Sequence, residues 1–245
     1  MASEKVAFIT GGNKGIGLET VRQLGKLGIT VVIGARDLEK GTASAQKLQS
    51  EGIHAEAVRF DVTNPADYQT VYDYLDKQYG RLDILINNAG VSRENFLGGN
   101  QTSTTSAEVL HGTFDTNFFG VIQITQTLLP LLRRSPAARI VNLSSILGSN
   151  TLHATPGSPI YDAKAFAYDA SKAALNSFTI HLAHELKDTK IKVNSAHPGW
   201  VKTDMGTDAA PMEIPDGAKT SVRLATLPDD GPTGGYFHMN DALPW

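Results

Sequence analysis

The stretch Lys5-Val6-Ala7-Phe8-Ile9-Thr10-Gly11-Gly12-Asn13-Lys14-Gly15-Ile16-Gly17 decides the architecture. Residues 5–10 read as a short buried strand, 11–17 as a glycine-rich turn, and 16–27 as a helix by apolar periodicity, closed by Gly28. A dinucleotide pyrophosphate requires this order. Glycine in the turn permits unusual φ angles and close approach of the backbone, and the helix N-terminus beyond it carries partial positive charge. Turns also use glycine for purely structural reasons, so the strand–turn–helix context carries the reading rather than the glycines alone.

The same alternation continues outward to the end of the chain. Strand-like runs recur at 30–35, 55–60, 82–86, 139–143 and 191–196, with a seventh at 234–238. Helical patterns separate them at 38–51, 65–79, 107–132 and 168–187, and another begins near Ala218. Continuous apolar strands between amphipathic helices predict a parallel sheet covered on both faces. Right-handed crossovers make it a doubly wound α/β fold of about seven strands, with ligands expected at the strand carboxyl ends. No linker or repeat divides the chain, so residues 1–245 read as a single domain. Three polar or proline-containing segments, 91–106, 149–167 and 204–216, read as additions to this frame. The last two flank the strand ends as candidate substrate walls or lids.

Composition narrows the function. The chain has 22 Lys+Arg against 25 Asp+Glu, a formal charge of −3, which argues against nucleic acid as a partner. Cysteine is absent, which removes disulfides, thiolate metal sites and a cysteine nucleophile. The opening residues lack a signal-peptide pattern and no run approaches the ~18 apolar residues of a membrane span, so a soluble cytoplasmic protein is expected. His181 and His184 share a helical face but lack a convincing third ligand, and no metal site is expected.

Cofactor choice is read after the second strand, where NAD-selective folds place an acidic residue for the ribose 2′-hydroxyl. Here Gly34-Ala35 leads into Arg36-Asp37, and Lys14 in the glycine turn adds a second cation. Each charge-assisted hydrogen bond to a 2′-phosphate contributes on the order of 1.5–3 kcal/mol, which favours NADP(H). The alternative is that Arg36 and Lys14 are solvated surface charges, and Asp37 keeps it open. Asp61, with Val62 and Thr63 after the third strand, has two readings: an acceptor for the adenine amino group, or a cap of the following helix. Asn87-Asn88-Ala89-Gly90 is expected both to admit the cofactor and to tie neighbouring strands together.

For chemistry, Tyr168-Asp169-Ala170-Ser171-Lys172 places a phenol and an ammonium on one helical face. A nearby cation lowers a phenol from about 10 by roughly 1–3 units, and the phenol can then give a proton to a carbonyl oxygen as hydride reaches the carbon. Tyr161-Asp162-Ala163-Lys164 competes, but it follows Pro159 in an irregular segment; Tyr168 opens an unbroken helical stretch and is assigned. Asn142-Leu143-Ser144-Ser145 ends the fifth strand, where one serine hydroxyl could stabilise developing charge on the substrate oxygen. Asn117 sits inside a long helical pattern, where asparagine is unfavourable, so a specific polar contact reaching toward Lys172 through water is expected.

These motifs, with Pro198-Gly199, together resemble the classical short-chain dehydrogenases/reductases over essentially the whole chain. The resemblance implies a Rossmann-type fold and gives Ser145 the polarisation of the carbonyl, Tyr168 the acid/base role and Asn117 a proton-relay water. It gives Lys172 the nicotinamide ribose and the tuning of the phenol. Gly11, Asn13, Lys14, Gly15, Ile16 and Gly17 become the phosphate turn, and Arg36, Asp61, Val62, Asn88, Ala89 and Gly90 further cofactor contacts. Pro198, Gly199, Val201 and Thr203 would meet the nicotinamide carboxamide. A narrower resemblance is to NADPH-dependent carbonyl reductases, carried by Gly11–Gly17, Ala35-Arg36-Asp37, Thr116–Gly120, His197–Asp204 and Trp245. It implies reduction of a small-molecule ketone or aldehyde to an alcohol, in a reversible reaction. A 3-oxoacyl-carrier-protein reductase is a sibling reading, suggested by residues 88–95, and a non-catalytic NADP(H)-sensing protein is the rival from another class. The helices at 107–132 and 168–187 commonly form subunit contacts in the family, which implies a homodimer or homotetramer.

Overall fold

The computed structural model describes residues 5–95 and 98–245. Seven strands run parallel: β1 (Val6–Thr10), β2 (Thr30–Ala35), β3 (Ala55–Arg59), β4 (Ile84–Asn87), β5 (Arg139–Leu143), β6 (Lys192–Ala196) and β7 (Tyr236–His238). A two-residue strand, β8 (Asp241–Ala242), pairs antiparallel with β7 and raises the total to eight. Two residues are too short to show a period of two, which is why sequence patterning stops at seven.

The sheet order is β3-β2-β1-β4-β5-β6-β7-β8. The chain moves outward from β1 to β3, then crosses back to lay β4 on the other side of β1. This reversal opens a crevice at the carboxyl ends of β1 and β4, where an open α/β sheet binds its ligand.

Strand burial follows the two-residue alternation. Phe8, Leu85, Ile140 and Val193 face one layer, with α3 (Pro65–Tyr79), α5 (Gly120–Arg133) and α7 (Phe166–Glu185). Ala7, Ile9, Ile84, Ile86 and Val141 face the other, against α1 (Gly15–Lys26), α2 (Leu38–Ser50) and α8 (Ile214–Ala225). Both faces are covered, so both residue sets must be apolar.

Three helices differ from their sequence expectation. The single pattern at 107–132 is α4 (Ala107–Phe114), a π-helical turn (Asp115–Phe119) and α5. Phe119 projects from this turn and is exposed. Helix α8 begins at Ile214 rather than near Ala218, because Pro215 occupies the first turn, where its missing N–H breaks no bond. Helix α7 begins two residues before Tyr168, and the preceding segment holds the short helix α6 (Asn150–Ala154) followed by turns.

Candidate active site

A cleft of about 890 Å³ lies over the strand ends at the β1/β4 reversal. Its floor is the turn between β1 and α1, and Gly11, Asn13, Lys14, Gly15, Ile16 and Gly17 all line it. Gly15 has φ +53°, a left-handed conformation that strains any side chain. At Gly17 a Cβ would stand 2.5 Å from both the Asn88 amide nitrogen and the Gly11 carbonyl oxygen, so only glycine fits.

Asn87 and Asn88 divide the two tasks expected of them. Asn87 Nδ2 donates to Asn142 Oδ1 at 2.8 Å and Thr125 Oγ1 at 3.0 Å, tying β4 to β5 and α5. Asn88 Nδ2 donates to the carbonyls of Thr10 and Gly11, holding the glycine turn open. Asn88, Ala89 and Gly90 line the cleft, as do Arg36, Asp61 and Val62 farther out.

Two of the acidic residues have local partners. Asp37, beside Arg36, caps α2 by accepting from the Lys40 amide at 3.2 Å, so its carboxylate serves the helix. Asp61 Oδ1 accepts from both the amide and hydroxyl of Thr63, while Asn64 caps α3. Lys14 Nζ pairs with Asp204 across the cleft at 2.5 Å, with both side chains largely exposed. That pair fastens the turns after β6 to the glycine turn.

Pro198 and Thr203 line the far wall. Gly199 and Val201 stand behind it: a Cβ on Gly199 would meet the Met212 sulfur at 2.7 Å, and Val201 is buried and bridges to Met212. The two are held away from the opening by this packing against the segment leading into α8.

Tyr168, Lys172 and Ser144 line the inner end of the cleft, while Ser145 and the fully buried Asn117 stand behind that lining, against Tyr168 and α7. Tyr168 and Lys172 share one face of α7, with the ammonium 5.7 Å from the phenol ring centroid. Lys172 Nζ donates to the Leu143 carbonyl at 2.7 Å, which turns it toward the end of β5. The Ser145 side chain hydrogen-bonds the phenol. It also accepts from the Leu147 amide at 3.2 Å, opening a one-turn 3₁₀ segment, Ile146–Gly148.

Asn117, in the π-helical turn, holds Val91 by both backbone groups at 2.8 Å and donates to Ser171 Oγ at 3.0 Å. Its direct partners are therefore the Val91 backbone and α7. Gly90 lies between it and the ammonium, since a Cβ there would be 3.5 Å from both Asn117 Oδ1 and Lys172 Nζ.

Electrostatics at this end is governed by burial. Burial pushes the Tyr168 phenol up to about 12, against the lowering effect of the Ser145 hydrogen bond. It also pushes Lys172 down to about 8. The expected lowering of the phenol by its neighbouring cation is not found, because withdrawal from water penalises both charged forms.

Two supporting residues carried no signal in the sequence. His197 Nδ1 accepts from the amides of Ile146 (3.1 Å) and Gly199 (3.4 Å), joining the serine turn to the Pro198-Gly199 turn. Burial, with His238 alongside, pushes its pKa down to about 3, so it stays a neutral acceptor. The Tyr236 hydroxyl donates to the Ser145 carbonyl, and its ring stacks on Trp245 with centroids 5.4 Å apart. Only chain packing brings these residues to positions 145 and 146.

The family model described as short chain dehydrogenase matches residues 5–214. The chain belongs to the short-chain dehydrogenase family. Carbonyl reductase (NADPH) 1 of Homo sapiens is 35% identical, the match covering 98% of this chain and 98% of the relative. Short-chain dehydrogenase/reductase 1 of Saponaria officinalis is 32% identical, covering 100% of this chain and 97% of the relative. Among known structures, the NADPH-bound carbonyl reductase from chicken fatty liver superposes with a TM-score of 0.84 at 25% identity, covering 99% of each chain. In this short-chain dehydrogenase no described helix is long and apolar enough to cross a membrane.

Proposed function

We propose that this short-chain dehydrogenase reduces the carbonyl of a small ketone or aldehyde with NADPH, reversibly, with Tyr168 as the acid/base. The observation that carries the reading is the Ser145–Tyr168 hydrogen bond at the inner end of a cleft that holds Lys172 on the same helical face.

The cleft fits a dinucleotide phosphate. Gly11, Gly15 and Gly17 line it at the N-terminus of α1, where backbone amides suit a phosphate, and Lys14 and Arg36 line it too. The cations give the preference for NADPH, with Lys14 released from Asp204 to meet the 2′-phosphate. When bound, the cofactor supplies hydride to the carbonyl carbon.

The protein supplies the rest. Ser145 donates a hydrogen bond to the carbonyl oxygen as charge develops there. Tyr168 passes its proton to that oxygen, and a phenol held up at about 12 stays protonated and ready to donate near neutral pH. Lys172 places an ammonium beside the phenol and favours the phenolate left after transfer. Asn117 fixes Val91 in the cleft lining and reaches α7 through Ser171, a placement that suits a relay returning the proton from solvent.

The test is nicotinamide absorbance decay over aryl, aliphatic and keto-ester substrates, with NADPH and NADH compared. Turnover with NADPH that collapses in Tyr168→Phe is the expected result. Cofactor binding without turnover on any carbonyl or acyl-carrier substrate would favour an NADP(H) sensor instead.

A further inference from the structure

The chain leaves the cleft after Gly90 through a loop whose first residues are fastened one after another. Asn117 grips Val91 at both backbone groups. The Ser92 hydroxyl donates to the Glu94 carbonyl at 3.1 Å and accepts from the Glu94 amide at 3.3 Å, forming a tight turn. Arg93 lies flat over α4, where a Cβ on Gly112 would come within 2.4 Å of its Cζ. These anchors bring the Glu94 side chain to the first turn of α7.

That turn needs acceptors. Ala165 precedes the helix and provides no side-chain cap, so the early amides require partners from elsewhere. Asp169 Oδ2 takes the Ala165 amide at 2.9 Å. Glu94 Oε2 takes the amide of Tyr168 itself, also at 2.9 Å, from 74 residues away in sequence. The other carboxylate oxygen, Oε1, is buried with no partner among the described residues. The cap thus comes from a distant segment, whereas α4 is capped by its own adjacent Ser106.

We propose that Glu94 is a positioning residue for the proton donor. By capping α7 at the backbone of Tyr168, it sets where the phenol stands relative to Ser145, and it couples that placement to the Asn117 grip on Val91. The inference rests on the reading of Tyr168 given above. Glu94 does not line the cleft. It acts through the helix, and misplacement of a reacting group by about 1 Å is enough to cost as much as a hundredfold in rate.

The experiment measures kcat, KM and the NADPH dissociation constant for Glu94→Ala and Glu94→Gln, with Tyr168→Phe alongside. Glutamine keeps an oxygen acceptor for the Tyr168 amide at the same reach. Glu94→Ala is expected to lower kcat by about tenfold or more while the NADPH dissociation constant stays within about twofold. Glu94→Gln is expected to restore most of kcat. Wild-type kcat in Glu94→Ala overturns the proposal, as does a Gln variant impaired as deeply as the Ala variant. Equal losses of kcat and cofactor affinity, which general loosening of the fold would produce, also overturn it. Should Glu94→Ala fail to fold, Glu94→Asp, one methylene too short to reach, takes its place with the same expectations. If Tyr168→Phe retains full turnover, the reading of Tyr168 itself fails; if it is inactive and Glu94→Ala is not impaired, the positioning role alone fails.

Discussion

At the scale of single residues, two substitutions separate chemistry from binding. Tyr168→Phe removes the proton donor while leaving Lys172 and the phosphate turn in place, so reduction should slow by about 10²–10⁴-fold with NADPH affinity preserved. Steady-state rates together with NADPH fluorescence titration check both halves. Arg36→Ala removes a cation from the cleft wall and should weaken NADPH about tenfold or more while leaving NADH unchanged. A parallel loss for both cofactors would mean that Arg36 does not meet the 2′-phosphate. Residue roles set by local spacing were legible in the sequence: Tyr168 and Lys172 share a face because an i, i+4 pair on a helix must. Roles set by distant partners were not. Nothing in the order of residues says that Asn88 would hold the glycine turn while Asn87 bridges β4 to β5, or that Asp37 would be consumed as a helix cap.

At the scale of elements, β1 and α7 carry the main consequences. Phe8 is fully buried in β1 and meets Phe60 edge-on at 5.6 Å. Phe8→Ala should therefore cost about 3–5 kcal/mol in urea unfolding, the range for a large cavity in a covered sheet. In α7, burial holds the Asp169 carboxyl up at about 7, with the Glu94 charge pushing the same way, against an ordinary 3.8. The folded chain thus holds this proton more tightly than the unfolded chain. Its stabilising contribution is complete below about 3.8 and fades as pH rises toward and through 7. Asp169→Asn should melt above the wild type near about pH 8, with the gap closing toward about pH 4; a gap independent of pH would refute this. Helix periodicity located α1, α2 and α3 well, since each buries one apolar stripe. It missed the π-helical turn at Asp115–Phe119 because one extra residue per turn barely disturbs an apolar pattern, yet that turn carries Asn117.

At the scale of the whole molecule, we propose that copies of the chain associate as a homodimer or homotetramer; sedimentation at working concentration reads this directly, and monomer alone would remove it. The sequence by itself determined that this is a doubly wound α/β chain with a glycine-rich turn at its start and a tyrosine–lysine pair late in the chain. Those features are local: strand alternation, glycine punctuation and helical spacing all act over fewer than about ten residues. Tertiary structure alone decided the sheet order, with β4 crossing back beside β1 to open the cleft. It also decided that Glu94, His197 and Tyr236 would support the site, through contacts spanning 74, 51 and 91 residues. Long-range contacts of that kind are selected by how whole layers pack, so they leave no periodic mark on the sequence around them.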